Sequence, residues 1–92
     1  MHILRIEHAV PDFEAWKRVF DGDPLEREQS GVRRHRVLRA VDDPNFVLID
    51  LEFGNLGEAE RFLAALRELW GRVDVTRNPE ARIVEIVESN DY

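Results

Sequence analysis

The sequence predicts an α+β fold in which a four-stranded antiparallel sheet carries two helices on one face. Three observations support it. Segments of period-two alternation and segments of helical spacing follow one another in the order strand, helix, strand, strand, helix, strand. The two middle strands are separated only by Val41-Asp42-Asp43-Pro44-Asn45, so they form a hairpin. Charge pairing and hydrophobic burial then select the same register for that hairpin.

The hairpin occupies residues 32–53. Its second half, Phe46-Val47-Leu48-Ile49-Asp50-Leu51-Glu52-Phe53, is the most apolar run in the chain. Alternation places Val47, Ile49, Leu51 and Phe53 on one face and Phe46, Leu48, Asp50 and Glu52 on the other. Pairing Ala40 with Phe46 across a five-residue loop sets Arg36 opposite Asp50 and Arg34 opposite Glu52. On the reverse face Val37 then meets Ile49, and His35 meets Leu51. A slip of one residue would drive the arginines against Ile49 and Leu51.

The first strand is His2–Ala9, with Leu4, Ile6 and His8 on one face. Pro11 keeps Val10 extended, and Asp12 is a suitable N-cap for a helix whose apolar stripe is Phe13, Trp16, Val19 and Phe20. Asp21-Gly22 stops it. Asp23-Pro24-Leu25-Glu26 has the pattern of a second, short helix start, with Asp23 as cap and Glu26 completing a capping box, and Gly31 ends that piece. After Phe53, Asn55 caps a helix of about four turns with Glu58 three positions on. Its stripe is Ala59, Phe62, Leu63, Leu66, Leu69 and Trp70, and Gly71 is the expected C-cap. Asn78-Pro79 signals a loop, with Val73 and Val75 as a candidate short strand, and residues 81–88 form the last strand. The apolarity of that strand leaves the faces of Val84 and Ile86 open. Right-handed crossovers around a central hairpin make this order the ferredoxin-like split βαβ, with the first and third strands central.

Composition narrows the function. Residues 1–92 are expected to form one domain, burying about 60–65% of the surface of the unfolded chain, a modest core that favours association. The absence of cysteine excludes disulfides, thiolate nucleophiles and cysteine-ligated metals. No apolar run approaches the ~20 residues of a membrane helix, and no signal peptide is visible, so a cytoplasmic protein without a membrane partner is expected. A net charge of −6 argues against a nucleic-acid partner. On the face away from the helices the topology collects Ile3, Arg5, Glu7, Arg34, Arg36, Leu38, Phe46, Leu48, Asp50, Glu52 and Glu85. Such a face is too apolar to stay bare, and a second copy of the same sheet is its simplest cover, giving a homodimer.

Three stretches carry a family resemblance. They are Val10-Pro11-Asp12-Phe13-Glu14-Ala15-Trp16-Lys17-Arg18-Val19-Phe20-Asp21, Asp42-Asp43-Pro44-Asn45 before an apolar strand, and Glu58-Ala59 with Phe62-Leu63. Together they resemble the small dimeric α+β-barrel proteins related to antibiotic-biosynthesis monooxygenases, including bacterial proteins loosely called cyclases. The resemblance implies sheet-to-sheet dimers with ligands held between the sheet and helices of each subunit. It also implies a choice among cofactor-free oxygenases, isomerases, haem-degrading enzymes and members without a known reaction. No residue combination in this chain matches the catalytic set of any one member.

Two histidines, two arginines and a set of aromatic residues are candidates for chemistry. His8 ends the first strand on the helix side, where a general base would stand at the mouth of a sheet–helix pocket; the competing reading is a histidine bonded to a local carbonyl. His35, with Arg33 and Arg39 on the same side of an outer strand, suits a carboxylate or phenolate, or alternatively blunts a sheet edge with charge. Trp16 is a candidate wall for a flat ligand, as are Phe20, Phe62 and Trp70, though helical spacing makes them core residues first. Glu7, Asp50, Glu52 and Glu85, lying among arginines, fit interface ion pairs better than a metal site. The expected function is binding of a small aromatic or anionic metabolite, with cofactor-independent monooxygenase or cyclase chemistry based on His8 or His35. A non-catalytic ligand-sensing or interaction module of the same fold is the alternative.

Overall fold

The computed structural model describes residues 1–72 and 77–92. At the centre of its sheet lie β1 (His2–Ala9) and β3 (Asp43–Phe53), flanked by β2 (Val32–Ala40) and β4 (Arg77–Glu85) in the antiparallel order β2-β3-β1-β4. Helices α1 (Phe13–Asp21) and α2 (Leu56–Trp70) complete a ferredoxin-like α+β fold. The core is built where alternation demanded it: Leu4, Ile6, Val47, Ile49, Leu51 and Phe53 are buried, together with Trp16 of α1 and Ala59 and Phe62 of α2. The rings of Phe53 and Phe62 meet at 5.6 Å and tie α2 to the central strand.

Both helices begin as expected. The Asp12 carboxylate accepts the Ala15 N–H, and the Asn55 side chain accepts the Glu58 N–H while donating to the Glu58 carboxylate. In the hairpin, Arg34 faces Glu52, His35 faces Leu51, Arg36 faces Asp50 and Val37 faces Ile49, the register that charge and burial both required.

Four local expectations are corrected. Ala40 pairs with Asp43 rather than Phe46, because a register shift after Arg39 tightens the turn. Asn45 stabilises this bulged start: its N–H bonds the Asp43 side chain, its carbonyl accepts from Val10 N–H, and its side chain accepts from Phe13 N–H. No helix forms at Asp23-Pro24-Leu25-Glu26. Asp23 and Glu26 instead adopt φ of 53° and 49°, left-handed backbone that a helix start cannot contain. Strand β4 runs from Arg77 to Glu85, not over 81–88; as an edge strand it accommodates Pro79. Glu85 pairs with His2, which puts it on the helix side of the sheet rather than the open face. The same register places Ile83 beside Leu4 and Val84 beside Ile3, while Ile86 lies beyond the strand with its N–H on the Met1 carbonyl. Val73 and Val75 lie outside the described residues.

The open face is organised by Asp50, only 5% exposed. Arg5, directly opposite it on β1, grips it with two hydrogen bonds of 2.9 Å, and Arg36 approaches from the other side at 3.5 Å. The Arg5 hydrogen bond is the main influence holding the Asp50 carboxyl below its ordinary range, against the upward push of burial. Arg34 and Glu52 make a looser pair at 3.4 Å. Around these charges Ile3, Phe46 and Leu48 are half-buried and Leu38 is exposed.

Candidate functional site

Between the two helices, the turns after α1 and the sheet lies a small cavity of about 70 Å³ that opens to solvent. Ile6, Ile49 and Leu51 form its floor, while Trp16, Phe20, Phe62 and Trp70 contribute aromatic walls. Helical spacing brought these rings to one side of their helices, and packing leaves space between them. The polar side chains at the cavity are His8, Asp23 and Arg27.

His8 is buried, 3% exposed, because the β1 alternation that buries Leu4 and Ile6 carries on to it. Its Nδ1 lies 3.1 Å from the Ala9 carbonyl oxygen. A carbonyl can only accept, so Nδ1 carries the proton and Nε2 keeps its lone pair. Nε2 has no protein hydrogen bond among the described residues, nor is it sealed away as His2 Nδ1 is. Burial lowers the His8 pKa from the ordinary 6.5, and the Ala9 hydrogen bond opposes this only in part. The imidazole is therefore neutral at pH 7. One nitrogen thus bonds a local carbonyl, and the other keeps a lone pair without a protein partner among the described residues.

Trp16 sits edge-on to His8, with ring centres 5.9 Å apart, and stacks on Phe20 at 5.2 Å. Phe13 packs against its other side at 5.8 Å. The aromatic stripe of α1 thus forms a continuous ladder. At its far end Phe20 meets the edge of His35 at 5.4 Å, and the guanidinium of Arg27 lies 3.9 Å over the Phe20 ring.

Of the predicted residues, the structure brings His8 and Trp16 together in the cavity. It places Arg33 and His35 in an adjoining polar groove between β2, the turns before it and the start of α2. Arg33 rests against Gly54, where an added Cβ would lie 2.8 Å from its Nε. Arg39 lies over the Phe13 ring at 4.6 Å and borders neither the cavity nor the groove. The Phe20 ring separates His35 from His8. Sequence reasoning missed Arg27, which borders both cavity and groove. Its only signal was a position four residues after Asp23, whose side chain accepts the Arg27 N–H.

Neither a family model nor a curated protein matches the sequence. Solved structures do match the fold. SnoaB, a cofactor-independent oxygenase from Streptomyces nogalater, superposes with a TM-score of 0.77 at 17% identity over 96% of this chain and 94% of that one. A dimeric ferredoxin-like protein from an uncultured marine organism gives 0.69 at 11% identity, covering 97% of each chain. A protein from Deinococcus radiodurans, proposed to be an antibiotic biosynthesis monooxygenase, gives 0.67 at 14% identity over 100% of this chain and 98% of that one. The fold is the one these proteins share. At such identities the likeness concerns the path of the chain, and the chemistry rests on the residues above. Among the described residues no helix is long and apolar enough to cross a membrane.

Proposed function

We propose that this chain binds a small, flat aromatic metabolite in the cavity and removes a proton from it, with His8 Nε2 as the base and no cofactor. The observation that carries this reading is the state of His8: neutral, fixed in its tautomer by the Ala9 carbonyl, and presenting a free lone pair among aromatic walls. Trp16, Phe20, Phe62 and Trp70 wall the ligand in, and the apolar surroundings strengthen any charge interaction formed as the proton moves. The resulting carbanion or phenolate is the species that adds O₂ or closes a ring. SnoaB, of similar fold, is a cofactor-independent oxygenase, which agrees with this class of chemistry. Arg33 and His35 in the adjoining groove are proposed to favour anionic ligands at the rim, and Arg39 of β2, over the Phe13 ring and outside both cavity and groove, to add to the positive potential there.

The second part of the reading is that two copies pair through their open sheet faces. A buried, doubly gripped carboxylate amid half-buried Ile3, Phe46 and Leu48 supports this, as does the dimeric state of the marine protein of similar fold.

β-Tetralone, a flat bicyclic ketone with activated C–H bonds, tests the chemistry. In heavy water His8 would transfer the abstracted proton to solvent and return a deuteron, so NMR should show catalysed deuteration beside the carbonyl. His8→Gln should lower that rate about 10²–10⁴-fold while tryptophan fluorescence still reports binding. Binding without exchange would contradict the catalytic reading and leave a ligand-sensing module. Absence of binding would contradict both.

A further inference from the structure

We propose that Arg27 makes the cavity a site for aromatic carboxylates, gripping the carboxylate at the mouth while the ring system lies within; this rests on the cavity being the ligand site. Among the described residues Arg27 is the one cation lining it. A carboxylate is the natural partner, because the guanidinium offers paired N–H donors in a plane and stays charged at all working pH.

The geometry shows a guanidinium held in place but not used up. Its stacking on Phe20 at 3.9 Å and a 2.8 Å hydrogen bond from Nη1 to the Phe20 carbonyl oxygen fix its position. Its contact with the Asp23 carboxylate, also through Nη1, is longer, at 3.4 Å. The other donors of the fork, on Nε and Nη2, have no protein partner among the described residues. The backbone that delivers this arginine is unusual, with Asp23 and Glu26 both left-handed within four residues of it. Non-glycine residues adopt that conformation at a cost, and such sites concentrate where a side chain is held for function. Glu28 and Glu58 line the groove beyond but not the cavity, so among the described residues only Asp23 competes for the guanidinium on the cavity side. Asp23 would also repel a doubly charged phosphate, whereas a planar, singly charged carboxylate meets the fork with less opposition.

Naphthoate and its neutral isostere naphthamide separate charge recognition from ring binding. Titrations followed by tryptophan fluorescence should show wild type favouring naphthoate about tenfold or more, the scale of a hydrogen-bonded charge. Arg27→Met should abolish the preference while leaving naphthamide affinity nearly unchanged. Asp23→Asn should raise it, because the competing charge is gone while the side-chain oxygen can still accept the Arg27 N–H. That opposite shift is one a merely structural role would not produce, and it decides the matter should Arg27→Met fail to fold. Equal binding of both probes by wild type would leave the cavity reading intact and overturn the carboxylate site. An unchanged preference in Asp23→Asn, or equal weakening of both probes in Arg27→Met, would also overturn it. If neither probe binds, both readings fall.

Discussion

Replacing Arg5 by alanine removes both 2.9 Å bonds to Asp50 and leaves that carboxylate with Arg36 at 3.5 Å. The consequence depends on what covers the sheet. In a lone subunit the Arg5 side chain is 50% exposed, so water screens the pair and its loss should cost only ~0–1 kcal/mol. Beneath a second sheet the same change strands a desolvated carboxylate, at ~3–5 kcal/mol. The difference falls on association, and at about 1.4 kcal/mol per tenfold it raises the dimer dissociation constant roughly a hundredfold or more. Arg36→Ala should act in the same direction, and Lys17→Ala, paired with Asp21 on the outside of α1, should not. Sedimentation of wild type and the three variants across a concentration series reads this directly. Wild type that stays monomeric at ~100 µM, well above typical specific dissociation constants, would rule out the sheet-to-sheet dimer. So would Arg5→Ala that associates as wild type does. Because the Asp50 pKa is depressed in the fold, the stability it contributes is present above the ordinary carboxylate pKa and is lost as pH falls through the folded value.

Trp16→Ala removes the ring between His8, Phe13 and Phe20 and should cost ~3–5 kcal/mol, a large share of a small domain's stability, visible as a much lower melting temperature. The lowered His8 pKa has a signed consequence. Between the unfolded pKa and the lower folded one the unfolded chain binds more protons, so stability falls as pH drops below about 6.5 and is unaffected above it. Urea melts of His8→Gln should lack that part of the acid loss, and a variant as acid-sensitive as wild type would show that His8 is not buried neutral. Gly31, at φ 105° and closely faced by Glu58, should lose ~1–2 kcal/mol on change to alanine, readable in the same melts.

The hairpin register was legible because two independent forces, ion pairing and burial, pointed to the same alignment. The helix starts were legible because Asp12 and Asn55 make contacts confined to the next turn. The misread stretches depend on partners far along the chain or on backbone states that composition does not announce. Asp23-Pro24-Leu25-Glu26 satisfies a local capping pattern, yet Arg27 reaching back to Phe20 settles it as turns. Pairing Arg36 with Asp50 came from one strand neighbour, whereas the tighter Arg5 grip comes from the other. Alternation placed His8, and helical spacing Trp16, on the faces that line the cavity. The basic residues of β2 looked like one cluster by parity, but they spread along an outer strand, and the Phe20 ring stands between His35 and His8. Arg27 escaped notice because only the left-handed turns bring it to the cavity mouth.

His8 is proposed to offer an unprotonated Nε2 to a ligand in the cavity. Proton–nitrogen NMR of histidine-labelled protein measures this at each of the three histidines, distinguishing the two ring tautomers. At pH 7 His8 should show a protonated Nδ1 and a bare Nε2, titrate below 6.5, and shift at Nε2 when β-tetralone is added, with His2 far less affected. A proton on Nε2 at pH 7, or an Nε2 resonance that does not move as the ligand saturates, would contradict the account.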